Sequence, residues 1–101
     1  MTNEKFNEIV DAWLVIIKGV LKSKGEEYTG IDDRLLNFKM AATLQRCTPE
    51  QALLGFVAKH IVSVYDTING GYKRDETYWK EKLGDIINYC ILLSALIKEK
   101  N

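Results

Sequence analysis

Residues 86–97 read Ile-Ile-Asn-Tyr-Cys-Ile-Leu-Leu-Ser-Ala-Leu-Ile, a nearly continuous apolar segment. Its apolar residues recur at three- and four-residue intervals, which is the period of an α-helix. Two apolar stripes cover this helix: one is Leu83, Ile86, Ile87, Cys90, Leu93 and Ile97, and the other is Tyr89, Leu92 and Leu96. A small bundle seldom covers a helix that is apolar on two sides. We therefore predict a homo-oligomer that buries the second stripe, the alternative being a central helix in a monomer.

Three further helical segments precede this one, and no segment shows the alternation of a β-strand. The spacing predicts helices over about residues 3–23, 33–46 and 49–68, with Gly25 ending the first. A fourth helix, capped by Asp75 or Thr77, is expected to run to about Glu99. The third helix is expected to pack through the stripe Leu54, Val57, Ile61, Val64 and Ile68. Its start is marked most clearly, because Thr48-Pro49-Glu50-Gln51 combines an N-cap, a first-turn proline and a capping box. The sequence predicts an all-α four-helix bundle forming one domain over residues 1–101.

Composition limits the classes of partner. Fourteen Lys and Arg balance fourteen Asp and Glu, so the basic excess of a protein that binds DNA or RNA polymers is missing. The longest apolar runs, residues 12–17 and 89–93, are too short to span a bilayer, and the N-terminus shows no signal-peptide pattern. Cys47 and Cys90 fall in no metal-binding spacing and are expected to be reduced thiols. We expect a cytoplasmic protein without a membrane partner.

Glu81, Asp85 and Asn88 are spaced by four and three residues, so they share one face of the last helix. Carboxylates on one face are what Mg²⁺ coordination requires, because this hard cation takes oxygen ligands. The alternative is a solvated Glu81 with Asp85 in an ion pair. Its possible partners are Lys59, Arg34 and Arg74.

His60, the one histidine, borders the apolar stripe of the third helix. With Lys59 it forms a pair suited to phosphate, and Arg74 is a well-placed loop cation. Tyr28 and Tyr72 lie in the two loops, where aromatic rings can stack on a nucleobase. The alternatives are a boundary histidine, a solvated lysine and tyrosines that fasten helix ends.

The fourth helix carries the motif Glu81-Lys-Leu-Gly-Asp85-Ile-Ile-Asn-Tyr-Cys-Ile-Leu-Leu. This motif resembles the second metal motif of MazG-like all-α nucleoside triphosphate pyrophosphohydrolases. The wider pattern resembles small phage proteins of the nucleotide-modification-associated group and covers roughly residues 24–98. Its other parts are Glu27-Tyr28, Asp32-Asp33-Arg34-Leu-Leu-Asn37-Phe38-Lys39, Ala58-Lys59-His60 and Asp66.

The chain departs from that pattern at the metal motifs. Where MazG-like enzymes carry two glutamates separated by two residues, residues 53–60 read Leu-Leu-Gly-Phe-Val-Ala-Lys-His. Lys82 stands in the acidic position three residues before Asp85. A lysine and a histidine in place of acids suit an anion without metal. The resemblance therefore implies a helical, oligomeric nucleotide site more than it implies hydrolysis.

Three functions follow as hypotheses. The first is a phage-type protein that binds a small nucleotide and sequesters a nucleotide signal of host defence, in the host cytoplasm. Its ligand-binding residues would be Tyr28, Arg34, Lys59, His60, Tyr72, Arg74, Asp85 and Asn88. The second is a Mg²⁺-dependent pyrophosphohydrolase with Asp66, Glu81 and Asp85 as metal ligands. The third is a helical module that binds another protein through its surplus apolar faces.

Overall fold

The protein is all-α in the residues that the structure, a computed structural model, describes, namely 1–27 and 33–101. Four helices and no strand occur in these ranges, which confirms the predicted fold class. The helices are α1 (Asn3–Glu27), α2 (Leu36–Gln45), α3 (Pro49–Asn69) and α4 (Glu76–Lys100). No helix among the described residues is both long enough and apolar enough to cross a membrane.

The chain divides into two compact units, one with α1 and one with α2, α3 and α4. The single domain and the homo-oligomer both stay predictions. Within the first unit, the prediction that Gly25 ends the helix is wrong, because α1 continues to Glu27. A glycine inside a helix costs only about 1 kcal/mol relative to alanine. It therefore destabilises the helix slightly without ending it. The α1 side chains Phe6, Ile9, Val10, Leu14 and Val15 are exposed.

The second unit packs around Leu53, which has no exposed surface. Leu35 and Leu96 complete the buried cluster. The core therefore joins α3 and α4 with the residue that directly precedes α2. The partly buried side chains packed against it are Phe38, Tyr89, Leu92 and Leu93. The second stripe of α4 therefore lies against the core of the same chain, contrary to the expectation that another copy covers it. Cys90 and Ile97 of the first stripe are exposed.

The prediction for the packed face of α3 is wrong in part. Val57 is buried as expected, but Leu54, Ile61 and Ile68 are exposed. The packed face instead carries Ala52, Leu53, Val57 and Thr67. The reason is that α3 is apolar on two faces, and only one of them meets α2 and α4. We call the residues Leu54, Ile61, Tyr65 and Ile68 the outer face of α3.

The predicted capping box at the start of α3 is confirmed. The Gln51 backbone N–H donates to Thr48 Oγ1 at 3.1 Å, and the Thr48 N–H donates to Gln51 Oε1 at 2.9 Å. Asp75 caps α4 in a similar way by accepting from the Tyr78 N–H at 2.9 Å. These bonds satisfy N–H groups that have no partner inside the helix.

Replacing the cap tests its contribution. Thr48→Ala removes the oxygen that accepts from Gln51, so we expect the free energy of unfolding to fall by about 1 kcal/mol. Urea titration followed by circular dichroism measures this loss. Thr77→Ala, an exposed threonine inside the first turn of α4, is the control and should change stability by less than about 0.5 kcal/mol. Equal losses in both variants would contradict the role given to the cap.

Lys39 joins the turn before α2 to the end of α4. Its ammonium donates to Asp33 Oδ2 and to Glu99 Oε1. The hydrogen bond from Lys39, with a second from the Leu35 N–H, lowers the pKa of the Asp33 carboxyl. The hydrogen bond that Lys39 donates to Asp33 raises the pKa of the Lys39 ammonium group, and the hydrogen bond to Glu99 adds to this effect.

The lowered pKa of Asp33 gives stability a dependence on pH. A carboxyl with a depressed folded-state pKa adds stability above its unfolded pKa of about 3.9, and this addition is lost as the pH falls through the folded pKa. Asp33→Asn keeps an acceptor for Leu35 and removes the charge. We expect the urea midpoint of the wild type to exceed that of the variant at pH 7 and the two to converge at acid pH. A midpoint difference that stays constant from pH 7 to pH 2 would contradict this assignment.

Candidate functional site

Asp85, one of the predicted polar residues of α4, lies near His60 of α3. His60 Nε2 lies 3.9 Å from Asp85 Oδ2, too far for a hydrogen bond but close enough for electrostatic attraction. The His60 side chain is 19% exposed and that of Asp85 is 42% exposed. The structure therefore gives Asp85 a histidine neighbour, which the sequence did not identify as its partner.

Two polar atoms, one on α3 and one on α4, are buried without a hydrogen-bond partner in the described chain. They are His60 Nδ1 and Asn88 Oδ1. Asn88 as a whole is only 7% exposed, although its side chain carries a full amide. A buried acceptor without a donor costs about 1–3 kcal/mol, so native proteins keep few of them, and they often mark a position that another molecule completes.

A chain of aromatic rings begins beside the His60 imidazole. The Tyr89 ring lies 5.5 Å from the His60 ring and stacks on Phe56 at 6.1 Å, and Phe56 meets Phe38 edge-on at 6.3 Å. Burial, together with the nearby Asp85 carboxylate, raises the pKa of the Tyr89 hydroxyl. Tyr89 is a neighbour of His60 that the sequence analysis missed. Its position four residues after Asp85, on the same face of the helix, was the available signal.

A second polar group joins α3 and α4 nearer the connecting loop. Thr67 Oγ1 donates to the Ser63 carbonyl at 2.9 Å, so the Tyr78 hydroxyl must be the donor in its 2.7 Å bond to Thr67 Oγ1. Tyr78 thus fastens the start of α4 to α3. Tyr78 stands at a loop–helix junction, a position that does not by itself indicate these partners.

Cations gather around the Tyr78 ring. Arg74 lies over this ring at 5.1 Å and over the Tyr72 ring at 6.0 Å, while Lys82 approaches the Tyr78 ring at 5.9 Å. Arg74 and Tyr72 therefore belong to one exposed group at the α3–α4 loop. Since Tyr78 precedes Asp85 by two helical turns on α4, this group is about 10 Å along the helix from the His60–Asp85 pair.

The other predicted residues are placed as follows. Lys59 is exposed on α3, and Arg34 is half-buried in the turn before α2. Tyr28 lies outside the described residues. Asp66 and Glu81 are exposed. In the part of the chain that the structure describes, no three His, Cys, Asp or Glu side chains are placed to hold a metal ion, so Asp66, Glu81 and Asp85 do not form such a group there.

Two open clefts lie away from the His60–Asp85 pair. One, of about 210 Å³, is apolar and lies between the outer face of α3 and Ile86. The other, of about 240 Å³, lies between the start of α3 and the end of α4, with Lys39 and Glu99 in its wall. Neither cleft contains His60, Asp85 or Asn88.

Comparison with models of protein families, with curated proteins and with solved structures finds no match for this chain. The resemblance to MazG-like and nucleotide-modification-associated proteins therefore stays a prediction from the motifs.

Proposed function

We propose that this protein binds a small nucleotide ligand between α3 and α4. The observation that carries the proposal is the pair of buried polar atoms, His60 Nδ1 and Asn88 Oδ1, which have no partner among the described residues. The His60 ring lies beside a partly exposed carboxylate and an aromatic ring, those of Asp85 and Tyr89. Small-ligand sites typically combine apolar side chains with a few polar groups of this kind.

Three cationic side chains of α3, α4 and the loop between them could contact the phosphates of such a ligand. Arg74 and Lys82 lie at the loop end of α4, and Lys59 is exposed on α3. A nucleotide needs both a polar, aromatic place for its base and cations for its phosphates. In a phage, a protein that holds a nucleotide without altering it would sequester a nucleotide signal of host defence.

The test is one incubation of the purified chain with a panel of nucleoside triphosphates and cyclic oligonucleotides, with and without Mg²⁺. Filtration separates the protein, which is then denatured, and both fractions are chromatographed. We expect an unaltered nucleotide that is depleted from the filtrate and released on denaturation. A product formed only with Mg²⁺ would instead support the pyrophosphohydrolase, and Asp85→Asn and EDTA should then abolish turnover.

A protein-interaction module is the second candidate, and the outer face of α3 favours it. Its four large apolar side chains, Leu54, Ile61, Tyr65 and Ile68, are each about half exposed or more. Surfaces of this kind mark contacts with other proteins or other copies. The expected signature is a stable protein partner in a pull-down, together with a melting temperature that no nucleotide of the panel changes. Ile61→Asp should abolish that partnership, with Lys59→Asp, an exposed change on the same helix, as the control.

A further inference from the structure

The outer face of α3 repeats with the period of a coiled coil. Leu54, Ile61 and Ile68 are seven residues apart, and Ala58 and Tyr65 fall between them at the same interval. The five residues therefore follow each other in alternating steps of four and three, which is the heptad pattern that packs one helix against another. All five are exposed, and we call them the seam of α3. The pattern indicates a second helix as the occupant of this surface.

No residue of the seam carries a charge. The nearest charged residues are Lys59 and Asp66, which directly follow Ala58 and Tyr65. Successive residues of an α-helix are turned about 100° from each other, so both charges lie to the side of the seam. A second helix can therefore cover the seam without taking a charge out of water.

The exposed apolar area is large enough for a second copy of the chain. Five large apolar side chains of the seam and its flank are each about half exposed or more: Leu54, Ile61, Val62, Tyr65 and Ile68. Side chains of this size at such exposure leave on the order of 100 Å² uncovered apiece, so two copies that pair through them bury about 1,000 Å². This area reaches the lower limit for a specific interface, and we expect a dissociation constant in the micromolar range.

We propose that α3 of one copy packs antiparallel against α3 of a second copy, about a two-fold axis near the middle of the helix. In this arrangement Ala58 meets Ile61 of the second copy, and Leu54 meets Tyr65 of the second copy. The smaller residue of each layer then faces the larger one, which fills the interface evenly. A parallel pair would set Tyr65 against Tyr65 and Ala58 against Ala58, and it would align the two helix dipoles.

This pairing deepens the second candidate function, because it names the partner, and it does not depend on nucleotide binding. Sedimentation of the purified chain without nucleotide measures it. We expect the mass of one chain at about 1 µM and the mass of two chains at about 200 µM, since an interface of this area is weak. Urea titrations at the lower concentration therefore report the single chain. A chain that keeps the mass of one copy throughout overturns the pairing and leaves the nucleotide site untouched.

Ile61→Asp tests whether the seam is the interface. The substitution places a carboxylate in the middle of the seam, where pairing would remove it from water, so we expect the dimer to weaken at least tenfold, that is by about 1.4 kcal/mol or more. Ile97→Asp is the matched control, because Ile97 lies on α4 and is 47% exposed against 49% for Ile61. This control should pair as the wild type does. A dimer that Ile61→Asp leaves intact, or an equal loss in both variants, overturns the assignment to α3.

Ala58→Lys tests the orientation of the two helices. Alone, it should weaken the dimer as Ile61→Asp does, because it also brings a charge into the seam. Mixed in equal amounts with the Ile61→Asp chain, it sets an ammonium group opposite the new carboxylate only if the helices are antiparallel. We expect the mixture to form more dimer than either variant alone, since opposite charges then face each other. A mixture no more dimeric than the separate variants overturns the antiparallel arrangement.

Discussion

Leu53→Ala is expected to destabilise the protein by about 3 kcal/mol, the middle of the range for a buried leucine reduced to alanine. Leu53 has no exposed surface and belongs to the buried cluster with Leu35 and Leu96. Its truncation removes apolar burial and leaves a cavity among three helices. Because a domain of this size has only about 5–15 kcal/mol of stability, this single change takes a large share of it.

The adjacent residue provides a matched control. Leu54 is the same residue type in the same helix, but it is 50% exposed on the outer face of α3. Leu54→Ala should cost less than about 1 kcal/mol in a urea titration. If Leu54→Ala costs as much as Leu53→Ala, the outer face of α3 is also buried in solution, which would contradict the exposure of Leu54.

Asn88→Leu is expected to separate stability from binding. The substitution removes a buried acceptor without a donor and adds apolar contact, so the free energy of unfolding of the free protein should rise by about 1 kcal/mol. Binding of the best nucleotide of the panel should weaken by at least about tenfold, because the ligand loses its acceptor. A stabilised protein that no longer binds is the pattern expected when a site retains strain for function.

Thermal unfolding and calorimetric titration measure the two effects, and Asn37→Leu serves as the control. Asn37 is exposed on α2, so this variant should match the wild type within about 0.5 kcal/mol and bind normally. An Asn88→Leu variant that binds nucleotide as the wild type does would remove Asn88 from the site. A variant that is less stable than the wild type would show that the Asn88 amide has a stabilising partner in solution.

The sequence predicted those parts of the fold that depend on neighbouring residues. Thr48 and Gln51 form the expected capping box because both groups lie within one turn of each other. Asp75 caps α4 for the same reason. The end of α1 was mispredicted at Gly25, because the cost of one glycine is small compared with the gain from continuing a helix.

The packed face of α3 was harder to predict. Periodicity identifies apolar residues on a helix, but α3 has two apolar faces, and the choice between Leu53 and Leu54 is made by α2 and α4. The same limit applies to the candidate site, where spacing predicts the residues of one helix but not their partners on the next. The sequence placed Asp85 and Asn88 on one helical face, but which residue of α3 faces Asp85 depends on the packing of the two helices. The structure identifies that residue as His60.

Nuclear magnetic resonance of the His60 imidazole shows whether a nucleotide binds between α3 and α4, because His60 is the one histidine and its signals need no assignment. ATP, GTP, CTP and UTP would be added in turn to the labelled chain, and the side-chain amide of Asn88 would be followed alongside. We expect at least one nucleotide to shift both sets of signals to saturation, while the amide of the exposed Asn101 stays in place. A nucleotide that binds by calorimetry but leaves the His60 and Asn88 signals unmoved would contradict the proposed site, and the absence of any binding would contradict the proposed function.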